Sequence, residues 1–161
     1  MIPFETLPDE SRIWIYQANR PLSHSEKESI ENDASKFIDQ WTSHGASMQA
    51  SAMVLHHRFL IISADEAKAI ASGCGIDKAV HFVQQLGERM EIDFFQRMQV
   101  CYKEDEELKV AALHQFWAMR KANIITEETL VFDNTIRNKG QLAGSWLVPF
   151  AKSWHQEMWA R

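Results

Sequence analysis

The chain has 161 residues, 45% of them hydrophobic and 24% charged, with a net charge of −5 and a pI near 5.8. A chain of this size suits one domain whose core buries enough surface to need no disulfide or metal staple. The acidic balance excludes non-specific binding to nucleic acid or to an anionic membrane surface, since both need a basic field.

The first residues, MIPFETLPDESR, carry neither a basic start nor an apolar run, so no signal peptide is expected. No stretch approaches the roughly 18 apolar residues that a membrane-spanning helix requires. Cys74 and Cys101 are too few for a disulfide framework, and a cytoplasmic location with reduced thiols is the expectation.

In chain order, Arg12 to Ala18 is β-branched and aromatic and predicts a first strand. Ser23-His24-Ser25-Glu26 fits a capping box, with the serine accepting from a first-turn amide while the glutamate reaches back. The helix that follows places Ile30, Ala34, Phe37, Ile38 and Trp41 on one stripe, and Gly45 stands where a left-handed C-cap belongs. Ser47 to Leu55 and Arg58 to Ser63 read as two strands divided by His56-His57, the second apolar enough to be central. A second helix is predicted over Ile76 to Met90, and a strand over Met98 to Tyr102 ends in the acidic turn Glu104 to Glu107.

This order, β-α-β-β-α-β, predicts an α+β fold with a ferredoxin-like split βαβ core over residues 1–103. Residues 104–161 read as a packed α/β extension of the same single domain. The extension holds a short strand at Leu108 to Val110, a helix over Ala112 to Lys121, a strand at Thr129 to Phe132, and a final helix after Pro149 carrying Phe150, Trp154 and Met158. Trp159 lies off that last stripe and is the expected exposed anchor.

One stretch invites a chemical reading: Ser72-Gly73-Cys74-Gly75-Ile76-Asp77, at the start of the second predicted helix. Helix N-termini offer unpaired amides and the positive end of the dipole, and flanking glycines let amides curl into an anion-binding nest. Ser72, Gly73, Cys74, Gly75 and Asp77 are therefore the candidate ligand-binding residues. The same location lowers a thiol pKa, so Cys74 is also a candidate nucleophile or redox sensor. A thiol enzyme needs a base, and the histidines considered for it are His155 and His81, with His56, His57 and His114 elsewhere in the chain. The plainest alternative is a tight turn with a small residue packed in it.

Other chemistries lack their signatures. His56 and His57 would point to opposite faces of a strand, C-x-x-C and H-E-x-x-H are absent, and no metal or other cofactor is expected. No P-loop, Rossmann glycine pattern or G-x-S-x-G elbow occurs. An RNA-recognition module, which shares the ferredoxin-like topology, would need an aromatic-rich strand where Arg58 to Ser63 offers only Phe59.

Arg12-Ile13-Trp14-Ile15-Tyr16-Gln17 with Asn19-Arg20-Pro21-Leu22, Gln40-Trp41-Thr42 with His44-Gly45-Ala46, Ala71-Ser72-Gly73-Cys74 with Ile76-Asp77, and later Val131-Phe132-Asp133-Asn134 and Ser153-Trp154-His155, resemble a family of small bacterial proteins of unknown function. Its members are often labelled "ABC transporter ATPase", yet this chain has no phosphate loop to hold ATP in the ABC manner. The resemblance covers nearly the whole chain and implies no catalytic residues. The expected function is a non-enzymatic module for a small ligand or a protein partner, dimerising through a sheet or the terminal helix. The competing class is a cysteine-dependent enzyme or redox sensor.

Overall fold

A computed structural model describes residues 1–161, which form two compact units: Met1–Gln96 with Arg137–Gly140, and Arg97–Ile136 with Gln141–Arg161. Both mix helices with antiparallel sheet, so the α+β class holds. No helix is long and apolar enough to cross a membrane.

In the first unit, β1 (Arg12–Gln17), β4 (Gln49–Leu55) and β5 (Phe59–Asp65) form an antiparallel sheet in the order β1-β5-β4. The central strand β5 is buried over six of its seven residues, as its unbroken apolar run requires. Period-two alternation puts Tyr16, Leu60, Ile62, Ala64, Ala50, Ala52 and Val54 on one face. That face meets Ile30, Ala34 and Ile38 of α1 (His24–Gln40), and Ala79, Val83 and Leu86 of α2 (Gly73–Met90). Phe37 and Phe82 stack at 4.6 Å between the two helices. The capping box at Ser23 forms in full: the Glu26 amide donates to Ser23 Oγ, and the Ser23 amide donates to the Glu26 carboxylate.

The ferredoxin-like expectation fails at the fourth strand. The order β1-β5-β4 is what the first three strands of a split βαβ unit would give, but β6 (Gln99–Glu104) belongs to the second unit's sheet, β7-β6-β8-β9. Two physical reasons are visible. A two-residue turn with Asp105 at φ 52° closes β6 onto β7 (Glu107–Ala112), a local pairing with little loop-closure entropy to overcome. The outer edge of β1 is meanwhile taken by Arg137–Gly140: the Ile13 amide donates to Arg137 O (3.1 Å), and Lys139 N donates to Ser11 O (2.8 Å).

Gly45 is not a helix cap. The helix stops at Gln40, and β2 (Thr42–Ser43) and β3 (Ala46–Ser47) form a short hairpin around His44-Gly45, with φ of 50° and 80°. Positive φ at both central residues marks a type I′ turn, the form that matches strand twist.

The second unit packs α3 (Leu113–Lys121) on the sheet of β6, β7, β8 (Leu130–Phe132) and β9 (Leu147–Pro149), around Val100, Tyr102, Phe116, Ile125, Val131 and Phe150. The last helix, α4, is only Trp154–Trp159; Phe150 lies in a preceding 3₁₀ turn, so the expected Phe150–Trp154–Met158 stripe does not exist as one helix face.

At the end of α2, the chain turns back through Glu91 in a left-handed conformation (φ 56°), and Ile92 N donates to Gly87 O at 2.9 Å. A Cβ on Gly87 would stand 2.4 Å from Ile92 O. Alanine is intrinsically better in a helix by about 1 kcal/mol, but forcing backbone apart costs up to about 3 kcal/mol. Gly87→Ala is therefore expected to lower stability by about 2 kcal/mol, read as a shifted urea midpoint at unchanged slope.

Candidate functional site

The helix start differs from the sequence expectation in a way that changes its chemistry. α2 begins at Gly73, with Ser72 as N-cap, its Oγ accepting from Gly75 N at 3.3 Å. Gly73, Cys74 and Gly75 are therefore the first helical turn. Gly45 is the only glycine with positive φ, so the Gly73–Gly75 segment is no left-handed nest. Asp77 lies beyond the first turn and is exposed, so it does not serve as an N-terminal charge.

Behind this turn is a hydrogen-bonded frame. Ser43 Oγ, on β2, is 2.6 Å from Ile70 O and 3.1 Å from Ser72 Oγ, and it accepts from Ser72 N at 3.2 Å. A hydroxyl has one proton; with that of Ser43 given to Ile70 O, Ser72 Oγ becomes the donor between the two serines. Trp41 Nε1 donates to Gly75 O at 2.9 Å in a buried contact. Ala71 N donates to Glu66 Oε1 at 2.9 Å and fixes the incoming loop. Gly75 is buried, while Gly73 and Cys74 are exposed and the space beside Gly73 is open. The frame holds the turn from the inside and leaves two backbone positions facing outward.

Of the sequence candidates for a base, His81 does not join Cys74. His81 is exposed on the same helix, seven residues on, which at helical rise is about 10 Å along the axis. His155 is in the second unit and 3% exposed. Its Nδ1 is 3.2 Å from Ser153 Oγ, and Ser153 Oγ in turn donates to Phe150 O at 2.8 Å. Asp133, 8% exposed, accepts Trp154 N at 2.9 Å and Thr135 N at 3.1 Å. These three side chains have the letters of a hydrolytic triad, but all are buried and the serine proton is spent on a carbonyl. Asp133 accepts the first amide of α4, and Ser153 and His155 are buried at the start of that helix. Sequence reasoning missed Ser43, Asp133 and Ser153; the first sits in what read as a C-cap loop, and only the hairpin brings it to Ser72.

His114 is exposed on α3. His56 and His57 are not on a strand; both have left-handed φ (54° and 49°) in the three-residue turn, completed by Arg58, that joins β4 to β5. His57 Nδ1 is 3.1 Å from Leu22 O, and no three histidine, cysteine or acidic side chains come together in a geometry able to hold a metal ion. Trp159 is half-buried rather than projecting, with its ring 5.3 Å from that of Trp117 and the Arg120 guanidinium 6.0 Å above it.

Comparison with protein-family models, with curated proteins and with solved structures finds no match to this chain.

Proposed function

We propose that this protein is a non-enzymatic binding module whose ligand site is the first turn of α2, where Gly73 and Cys74 present backbone amides to a small anion. The observation that carries the reading is the pairing of an outward-facing turn with an internal frame: Gly73 and Cys74 are exposed, while Ser43, Ser72 and Trp41 hold the turn from beneath. First-turn amides of a helix have no intrahelical partner, and the dipole of an 18-residue helix favours negative charge there. Because the frame is made before any ligand arrives, little ordering accompanies binding. Asp77 and Lys78, both exposed, follow beyond the first turn of α2 and carry opposite charges.

One observation favours thiol chemistry as a second reading: Cys74 is a free thiol exposed in the first turn of α2. The two readings part in one experiment, the alkylation rate of Cys74 with and without inorganic phosphate, with buried Cys101 as internal control. Under the binding reading, phosphate slows Cys74 alkylation with a saturating dependence, and Ser72→Ala weakens that protection. Alkylation of Cys74 that is fast and ignores phosphate would replace it with the thiol reading.

A further inference from the structure

At the opposite end of α2 the first unit has an open cleft of about 420 Å³. Its wall is apolar, made by Val83 and Gly87 of the helix and by Ile92, Phe94 and Phe95 of the segment that turns back over it. Its rim is acidic: Glu88, Glu91 and Asp93 line it and all three are exposed.

Two arginines near the cleft, Arg20 and Arg89, are committed elsewhere. Arg20 donates two hydrogen bonds to the Glu26 carboxylate, at 3.1 and 2.8 Å, and a third to Met90 O at 3.0 Å; it reaches Glu91 only through space. Arg89 is paired with Asp33. Glu88, Glu91 and Asp93 have no ion-pair partner; Asp93 Oδ1 accepts from Phe95 N at 2.8 Å, and its amide donates to Asn19 Oδ1 at 2.9 Å. The C-terminal end of a helix adds negative potential of its own. The carboxylates also do not converge closely enough to hold one metal ion. An occupant that suits this cleft carries positive charge on an apolar body, so that one part lies on the Val83–Ile92–Phe95 wall while the charge meets the rim.

We propose that this cleft is a second ligand site, for an organic cation of the aliphatic amine class. It uses none of the residues of the Ser72–Asp77 turn, so either site can fail without the other. The test is a titration of the whole chain with hexamethylenediamine at low ionic strength, followed by amide chemical shifts, with hexanediol and calcium chloride as controls for the body and the charge. Saturating shifts at Gly87, Ile92 and Asp93 are expected with the diamine and with neither control. The double variant Glu88→Gln with Glu91→Gln is expected to bind roughly tenfold more weakly, the size of two partly exposed charge contacts. Glu88→Gln alone, which leaves the left-handed position untouched, is expected to show an intermediate loss and guards against a folding effect of the double change. Shifts that do not saturate, that are equally large at the acidic Asp105–Glu106 turn, or that survive both substitutions would overturn the proposal.

Discussion

Replacing Trp41 by alanine is expected to destabilise the first unit by about 4 kcal/mol, the largest effect of any single change considered. Trp41 is 1% exposed. Its ring lies 5.9 Å from that of Trp14 and 5.4 Å from that of Phe37, and its indole nitrogen donates to Gly75 O. Truncation therefore removes an aromatic volume from the seam between α1, β1 and α2, and also takes a buried hydrogen bond from the first turn of α2. Total domain stability is typically about 5–15 kcal/mol, so the variant should sit near the edge of folding. Trp41→Phe separates the two contributions: it keeps most of the packing and is expected to cost about 1–2 kcal/mol. Urea unfolding of both variants checks this. Equal stability of Trp41→Phe and the unmodified protein would mean that the indole bond contributes nothing to holding the α2 start.

Acidification should weaken the second unit from about pH 6.5 downward, before most carboxylates take up protons. Burial pushes the His155 imidazole down to about 4, and the nearby Asp133 carboxylate, which pulls the other way, does not compensate. In the unfolded chain the same ring takes a proton near 6.5. Between those values the unfolded state holds a proton that the folded state refuses, so stability is unaffected by this residue above about pH 6.5 and falls as the pH drops toward 4. The accumulated loss is on the order of 3 kcal/mol. Glu26, in the first unit, acts in a different window. The Arg20 guanidinium and the Ser23 amide hold its carboxyl down to about 2, so its contribution is present above its ordinary value near 4.5 and is lost only as the pH falls toward 2. Both partners are partly exposed, which screens that contribution. Titration of the His155 ring protons by NMR tests the larger effect. A midpoint near 4 is expected, and one at or above 6 would show that the ring is not desolvated as described.

What could be read from the residues alone was the part governed by local pattern. The Ser23 capping box, the α1 stripe and the buried run of β5 each depend on a few neighbouring residues, and each forms as their spacing implies. The pairing of β6 was not legible, because Met98 to Tyr102 has the same strand character whichever edge it meets. What decided it was the short turn at Asp105 and the occupation of the β1 edge by Arg137–Gly140, a segment more than 120 residues further along the chain. Gly45 misled for a related reason: a left-handed glycine after an apolar stripe fits a helix cap and a hairpin turn equally well, and the choice fell to Ser43, whose hydroxyl binds Ile70 O and the Ser72 turn. At the candidate site, the location of Cys74 at a helix start was legible. The frame beneath it was not, since Trp41 and Ser43 lie some thirty residues away in sequence and reach Ser72 and Gly75 only through the fold.

Whether the first turn of α2 receives an anion on its backbone amides can be read by titrating isotopically labelled protein with inorganic phosphate and following the amide resonances of Gly73, Cys74 and Gly75. Saturating downfield shifts are expected at Gly73 and Cys74, weakened by Ser72→Ala and unmatched by sodium chloride at equal ionic strength. Resonances that do not move, or that move no more than those of exposed amides elsewhere in the chain, would contradict anion binding and leave the turn as a well-braced helix start.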